Sequence, residues 1–306
     1  MAGRLRCDEA PAVLVGRLPV PVATNEVVLN IVVNEQTMPP SLRGVPDPLQ
    51  DFLDCEGYRA EGGYSRLALI AGSEAEAVRA LAALDASGLG CASGAMLAQQ
   101  LREARETKQP FELSACVHGI GPAGFRDRQQ LERDPHRFLE GLLIAARIAR
   151  CEAVTIFLPD EPQLHAMLQS ELLALLASQP CNLPSITLLV GDAPLDALSL
   201  ETLCWVRGIL DKGADWFGGF GRNGSCGLRS LAVAGRVADP CVKVVPAGVT
   251  LGELIEDFCG GMEEGHDFRA ALVNEAMGTI VVLGGADRDH IVEGAEVMRD
   301  AAIALK

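Results

Sequence analysis

Apolar positions along this chain recur first at helical spacing and then in short unbroken runs. The clearest case is Asp134–Leu158. Asp134 followed by Pro135 is a helix start, a capping acceptor and then a residue whose missing N–H costs nothing there. Phe138, Leu139, Leu142, Leu143, Ala145, Ala146 and Ile148 then form a wide apolar stripe, which predicts a mostly buried helix over 135–149. Ala153 to Leu158 is a short, β-branched apolar run and reads as a buried strand. A buried helix feeding a buried strand is half of an α/β unit.

The alternation extends in both directions. Glu26 to Val33 reads as a strand, Pro39 to Pro48 as loop, and Arg66 to Ile70 as a strand. Ser73 with Glu76 forms a capping box for a helix to about Leu84. Ser87 to Gly94 is a small-residue loop before a helix over Ala95–Glu106. A strand over Glu112–His118, a helix over Gln163–Ala177 and a strand over Ile186–Val190 follow. Strands alternating with helices predict a mostly parallel sheet covered on both faces. After Gly227 the pattern changes. Leu231–Val237 and Val242–Val245 are strands around the turn Ala238-Asp-Pro240. Thr250 with Glu253 caps a helix ending at Gly260-Gly261, and Thr279–Leu283 is a further strand. This order fits a small β-grasp domain. His290 to Leu305 reads as a last helix. The predicted organisation is an N-terminal extension (1–19), an α/β domain (20–226), a β-grasp domain (227–285) and a C-terminal helix (286–306).

At 49% apolar residues the chain can bury a large core. Its 41 acidic against 26 basic residues give a net charge of −15, which argues against a nucleic-acid partner. The acidity confers solubility first; it would also attract a basic electron carrier such as a c-type cytochrome. No run reaches the roughly 18 apolar residues of a membrane helix. Met1 to Arg17 lacks the apolar core of a signal peptide, so a cytoplasmic protein is expected. The ten cysteines form no C-x-x-C pair and read as reduced, mostly buried thiols, with no metal site.

The wording Phe125-Arg-Asp-Arg128, Leu131-Glu132, Asp134-Pro-His-Arg137, Leu139-Glu-Gly141 and Ile144-Ala-Ala146 resembles the NADH-binding flavoprotein subunit of respiratory complex I. It is most similar to the beta subunit of NAD-dependent molybdenum or tungsten formate dehydrogenases. Glu201–Arg207, Gly213–Phe217, Gly221–Gly224, Gly227–Ser230 and Ser230–Met262 agree in order. The resemblance runs from about Ser87 onward. It implies a flavoprotein-subunit-like α/β fold followed by a β-grasp domain.

It also shows which chemistry is missing. The family's flavin loop, S-G-L-R-G-R-G-G-A-G-F, is here Ser87 to Leu97. Gly88 and Gly94-Ala95 match; both arginines and most of the glycines are gone. Side chains at Cys91, Ala92, Ser93 and Met96 stand where phosphate binding needs bare backbone. The family's N-A-D-E-G-E-P-G-T-F loop is here Cys116 to Phe125, with every acidic and amide group lost. His118 is the one candidate base there, although a lone histidine at a strand end reads as structural first. Between Pro159 and Ser199 the family's long insertion, which encloses the dinucleotide, is absent. The cysteine cluster that the family carries after its last helix has no counterpart before Lys306.

The resemblance with these losses implies a non-catalytic beta-type subunit without flavin, NAD or iron–sulfur cluster, Gly88, Gly94 and Ala95 being vestigial loop positions. Its expected partners are a catalytic formate-dehydrogenase-type subunit with molybdenum or tungsten and a thioredoxin-like iron–sulfur subunit. A shortened flavin-dependent NADH dehydrogenase is the second reading, and an assembly factor the third.

Overall fold

The computed structural model describes residues 13–15, 18–20, 52–91, 95–107, 112–119, 121–268, 270–274, 280–284, 288–289, 291 and 302–305. Contacts divide the chain into two units, Met1–Leu49 and Gln50–Lys306. The first contains a hairpin, β1 (Val13–Val15) and β2 (Leu18–Val20), with Val13 opposite Val20. The strand expected over Glu26–Val33, the loop over Pro39–Pro48 and Gly94 lie outside the described residues.

The second unit holds two sheets. The first contains β3 (Glu112–Cys116), β4 (Ala153–Leu158), β5 (Ser185–Val190) and β6 (Leu198–Ser199). All its pairings are parallel, in the order β5-β4-β3-β6. At its centre lies the Pro135–Ala149 helix. Asp134 caps it by accepting the Arg137 N–H at 3.0 Å, and Pro135 takes the first turn. Thirteen of its fifteen residues are buried, because it is packed on several sides at once. Gly141 permits one of those contacts. A Cβ built there would sit 2.0 Å from the backbone oxygen of Leu203, in the Leu200–Lys212 helix.

The alternation predicts cover on both faces, but the two crossover helices among the described residues lie on one. The crossovers from β3 to β4 and from β4 to β5 step the same way along the sheet. With the right-handed connection such units take, their helices, Pro135–Ala149 and Pro162–Ser178, share one face. Burial agrees: Leu113, Ala115, Val154, Ile156 and Leu158 are buried on that side. On the other, Thr155 is buried, Ser114, Cys116, Ala153 and Phe157 are half-buried, and Ser185, Thr187 and Leu189 are exposed.

Two further expectations are corrected. Arg66–Ile70 is not a strand but part of a helix, Ser65–Gly72, whose buried Leu67 and Ile70 stand one turn apart. The predicted helix over His290–Leu305 fails at Ala302–Leu305, which is a strand, β11. The other helices expected from the pattern are present at Glu74–Ser87, Leu97–Glu106 and Pro162–Ser178. Those at Cys55–Ala60 and Gly121–Arg133 carry no periodic signal strong enough to predict them.

The second sheet contains β7 (Leu228–Gly235), β8 (Val242–Pro246), β9 (Ala270–Asn274), β10 (Ile280–Gly284) and β11, in the order β10-β9-β11-β7-β8. Two antiparallel hairpins flank β11, which runs parallel to β7 and antiparallel to β9. Thr250 and Glu253 form the expected reciprocal capping box. The short helix they start widens into a π turn over Leu254–Phe258 and closes at Gly260 and Gly261, both with positive φ. Leu231, Val233, Val245, Leu251, Leu254, Ile255 and Phe268 form this region's own core.

Candidate functional site

The residues matching the flavin loop begin where the Glu74–Ser87 helix ends. Gly88 takes a left-handed φ of 70° and closes that helix. The chain then doubles back on itself. The Cys91 N–H donates to the Ala95 carbonyl at 2.8 Å and the Leu97 N–H to the Leu89 carbonyl at 2.9 Å. The Thr202 hydroxyl donates to the Gly90 carbonyl at 3.2 Å, tying the loop to the Leu200–Lys212 helix. Among the described residues, Leu89, Gly90, Cys91, Ser199, Glu201, Thr202, Trp205 and Arg229 line a half-open cavity of about 20 Å³. That is room for about one water molecule, against the roughly 300 Å³ or more of ordinary small-molecule sites. The Trp205 indole N–H is buried without a protein partner.

The second loop position is occupied by an ion-pair network. His118 lies at the end of β3, its Nδ1 2.7 Å from Asp127 Oδ2, and the same oxygen accepts the His118 backbone N–H at 3.0 Å. Arg126 grips the other Asp127 oxygen through Nε at 2.9 Å and Nη2 at 2.7 Å, and reaches Glu201 Oε2 at 3.2 Å. Glu201 accepts the Ser230 N–H through Oε1, and Gln130 donates to the Ser230 hydroxyl at 2.8 Å. Arg126, Asp127, Glu201 and Ser230 are all buried. Burial alone would push the Asp127 carboxyl up, but Arg126 and then His118 outweigh it and hold it below the usual carboxylate range. This network joins the Gly121–Arg133 and Leu200–Lys212 helices to β7. In Phe125-Arg-Asp-Arg128, Arg126 and Asp127 therefore support the fold, Arg128 pairs with Glu132 and Glu161, and Phe125 is exposed.

A second buried network surrounds the central helix. The Tyr64 hydroxyl lies 2.6 Å from His136 Nδ1, and His136 Nε2 lies 2.8 Å from Glu171 Oε2, which also accepts the Cys55 N–H. Tyr64, His136 and Glu171 thus form one buried chain of side-chain contacts. Tyr58 donates to Glu140 at 2.7 Å beneath the Arg207 guanidinium, 4.7 Å from its ring centroid. Burial pushes both phenols far above their ordinary value, reinforced at Tyr58 by the Glu140 charge. Trp216 is half-buried, under the Lys212 ammonium and against Phe217 and Phe220. Neither Tyr58, Tyr64 nor Arg207 stands out in the sequence, since their partners lie far away along the chain.

Of the vestigial positions, Gly88 and Ala95 lie in the folded-back loop. Among the described residues no group of three or more His, Cys, Asp or Glu side chains is placed to hold a metal, no helix is long and apolar enough to cross a membrane, and the nine described cysteines are free thiols, of which Cys226 is exposed.

No family model matches the chain. It is similar to the F subunit of the NADH-quinone oxidoreductase of Escherichia coli (strain K12), with 26% identity over 289 residues, 79% of this chain and 64% of that protein. It is similar to the F 2 subunit of the NADH-quinone oxidoreductase of Rhizobium meliloti (strain 1021), with 24% identity over 233 residues, 60% of this chain and 55% of that protein. Its fold is similar to that of a chain in the crystal structure of an air-oxidised NAD+-reducing NiFe-hydrogenase, at a TM-score of 0.69 and 18% identity, over 98% of this chain and 60% of that one. The chain thus resembles the F-type flavoprotein subunit of complex I and spans less than two thirds of the length of each of these proteins.

Proposed function

We propose that this chain is a non-catalytic, cofactor-free subunit of an oxidoreductase complex of the formate-dehydrogenase type, a structural and docking element beside a catalytic subunit that carries molybdenum or tungsten. The observation that carries this reading is the cavity of about 20 Å³ at the residues matching the flavin loop. A flavin needs a far larger site. The Arg126, Tyr64 and Glu140 networks, by contrast, are made between side chains of the chain itself. The matching wording of the 125–146 stretch supports the formate-dehydrogenase type. The likeness to proteins named as subunits of larger enzymes supports a place in a complex.

Purification of a tagged chain with its associated proteins tests this. The expected result is a metal-containing, formate-oxidising partner at fixed stoichiometry, with no absorbance at about 450 nm in the chain itself. Stoichiometric flavin in the purified chain would overturn it in favour of a shortened flavin-dependent NADH dehydrogenase. That second reading is favoured by the likeness to the F subunits of NADH-quinone oxidoreductases.

A further inference from the structure

The parallel sheet ends at β5, and among the described residues no strand pairs with its outer side. The Ser185 N–H donates to the Glu152 carbonyl at 2.9 Å and the Gly191 N–H to the Leu158 carbonyl at 3.1 Å. Residues 185, 187, 189 and 191 therefore face β4, and the N–H and C=O groups of Ile186, Leu188 and Val190 face outward. Sheet edges are ordinarily guarded by lysine, proline or a bulge. The strand here, Ser-Ile-Thr-Leu-Leu-Val, has no charge and no proline, and Leu189 and Val190 are 45% and 54% exposed.

The neighbouring helix extends this apolar edge. In Pro162–Ser178, Glu171 faces His136 of the central helix, toward the middle of the sheet. At about 100° per residue Leu173 and Leu176 fall on the opposite flank, above the β5 edge. They are 62% and 44% exposed.

We propose that this edge is the contact of a two-fold dimer, in which β5 pairs antiparallel with β5 of a second copy and two four-stranded sheets become one of eight strands. The strip from Leu183 to Val190 contains no charged residue in a chain of net charge −15, so it offers a charged partner nothing to select. What it offers is self-complementary. With Leu188 opposite Leu188, Ile186 stands across from Val190 and Thr187 across from Leu189, and the outward groups exchange about six hydrogen bonds. Asp192 then stands across from Pro184, and no carboxylate meets its own copy within the paired strands. A two-fold axis normal to the sheet keeps both Pro162–Ser178 helices on one face, at about the 10 Å spacing of packed helices. Leu173 and Leu176 of one copy meet those of the other. They widen the strand contact toward the about 1,000 Å² that a stable interface needs.

The test is the mass of the full chain in solution, by sedimentation from about 1 to about 100 µM. The wild type forms a dimer in this range. Thr187→Lys with Leu189→Lys gives a monomer through like-charge repulsion, and so does Thr187→Glu with Leu189→Glu; each is checked for native circular dichroism. Mixed in equal amounts, the two restore the dimer, because Thr187 of each copy faces Leu189 of the other. A monomeric wild type, double variants that stay dimeric, or a mixture that stays monomeric overturns the proposal. Hydrogen exchange on the wild type gives a second reading that needs no variant. Exchange at the amides of Ile186, Leu188 and Val190 slows as concentration rises, and rates independent of concentration overturn the proposal equally.

Discussion

The helix Pro135–Ala149 and the loop after Ser87 both carry the wording of the same family, but they have fared differently. The helix keeps its motif residues, and each has a partner inside the chain: Asp134 caps, His136 and Glu140 meet tyrosine hydroxyls, and Gly141 makes room for a neighbouring backbone. The loop keeps little beyond Gly88 and Gly94-Ala95, and its described part folds back over a space of about 20 Å³. Side chains whose partners are internal remain tied to the fold whatever the protein binds. Bare backbone meant for a ligand has no such tie.

The contrast can be broken most severely at Arg126. Arg126→Met removes the guanidinium shared by the buried Asp127 and Glu201, and removing one partner of a buried pair costs about 3–5 kcal/mol. Urea unfolding would show it, and a loss below about 1 kcal/mol would contradict the network's role. The same network sets an acid limit. Asp127 has a carboxyl held below its unfolded value, so its contribution is present above about pH 4 and fades as pH falls through the folded value. Asp127→Asn should remove that part of the acid slope in a pH series of melting temperatures. A slope unchanged by the substitution would show that other carboxylates cause it.

Gly141→Ala comes next, at about 3 kcal/mol, because the added methyl meets the Leu203 backbone and not a movable side chain. Tyr64→Phe should cost about 2 kcal/mol by leaving His136 Nδ1 buried without its hydroxyl partner; an unchanged unfolding midpoint would rule this out. The smallest effect sharpens the comparison most. At Gly90 an added Cβ would meet only the end of the Arg229 side chain at 3.7 Å, and its φ is not left-handed. Gly90→Ala should therefore stay within about 0.5 kcal/mol of wild type. A large loss there would mean that the loop still needs bare backbone.

The alternating core was legible because helix 135–149 and strand 153–158 are long or β-branched enough for their periods to decide. Arg66–Ile70 was not. Five residues, four of them apolar, fit either period, and the helix shows only in the one-turn spacing of its buried Leu67 and Ile70. Ala302–Leu305 misled for a different reason. Its strand character comes from pairing with β7 and β9, which no local pattern contains. The placement of both crossover helices on one face also escaped the sequence, since the alternation gives the number of crossovers and not the side each one takes. At the site, the losses from the glycine loop could be read directly. The Arg126–Glu201–Ser230 connection could not, because it joins three distant stretches.

The place of β11 also sets an order of events in folding. The hairpins β7–β8 and β9–β10 are local and can form early, but a lone hairpin is at best marginal in water. Among the described residues the two are joined through β11, where Ala302 lies beside Ala232 and Ile303 beside Val273. Closing so long a loop is slow, so the sheet should gain its stability in one late, cooperative step when β11 slots in. Ile303→Pro, which removes a ladder donor at the centre, should then slow refolding of β7 and β10 together in pulse-labelled hydrogen exchange. Separate rates for the two hairpins would show that they do not wait for their common strand.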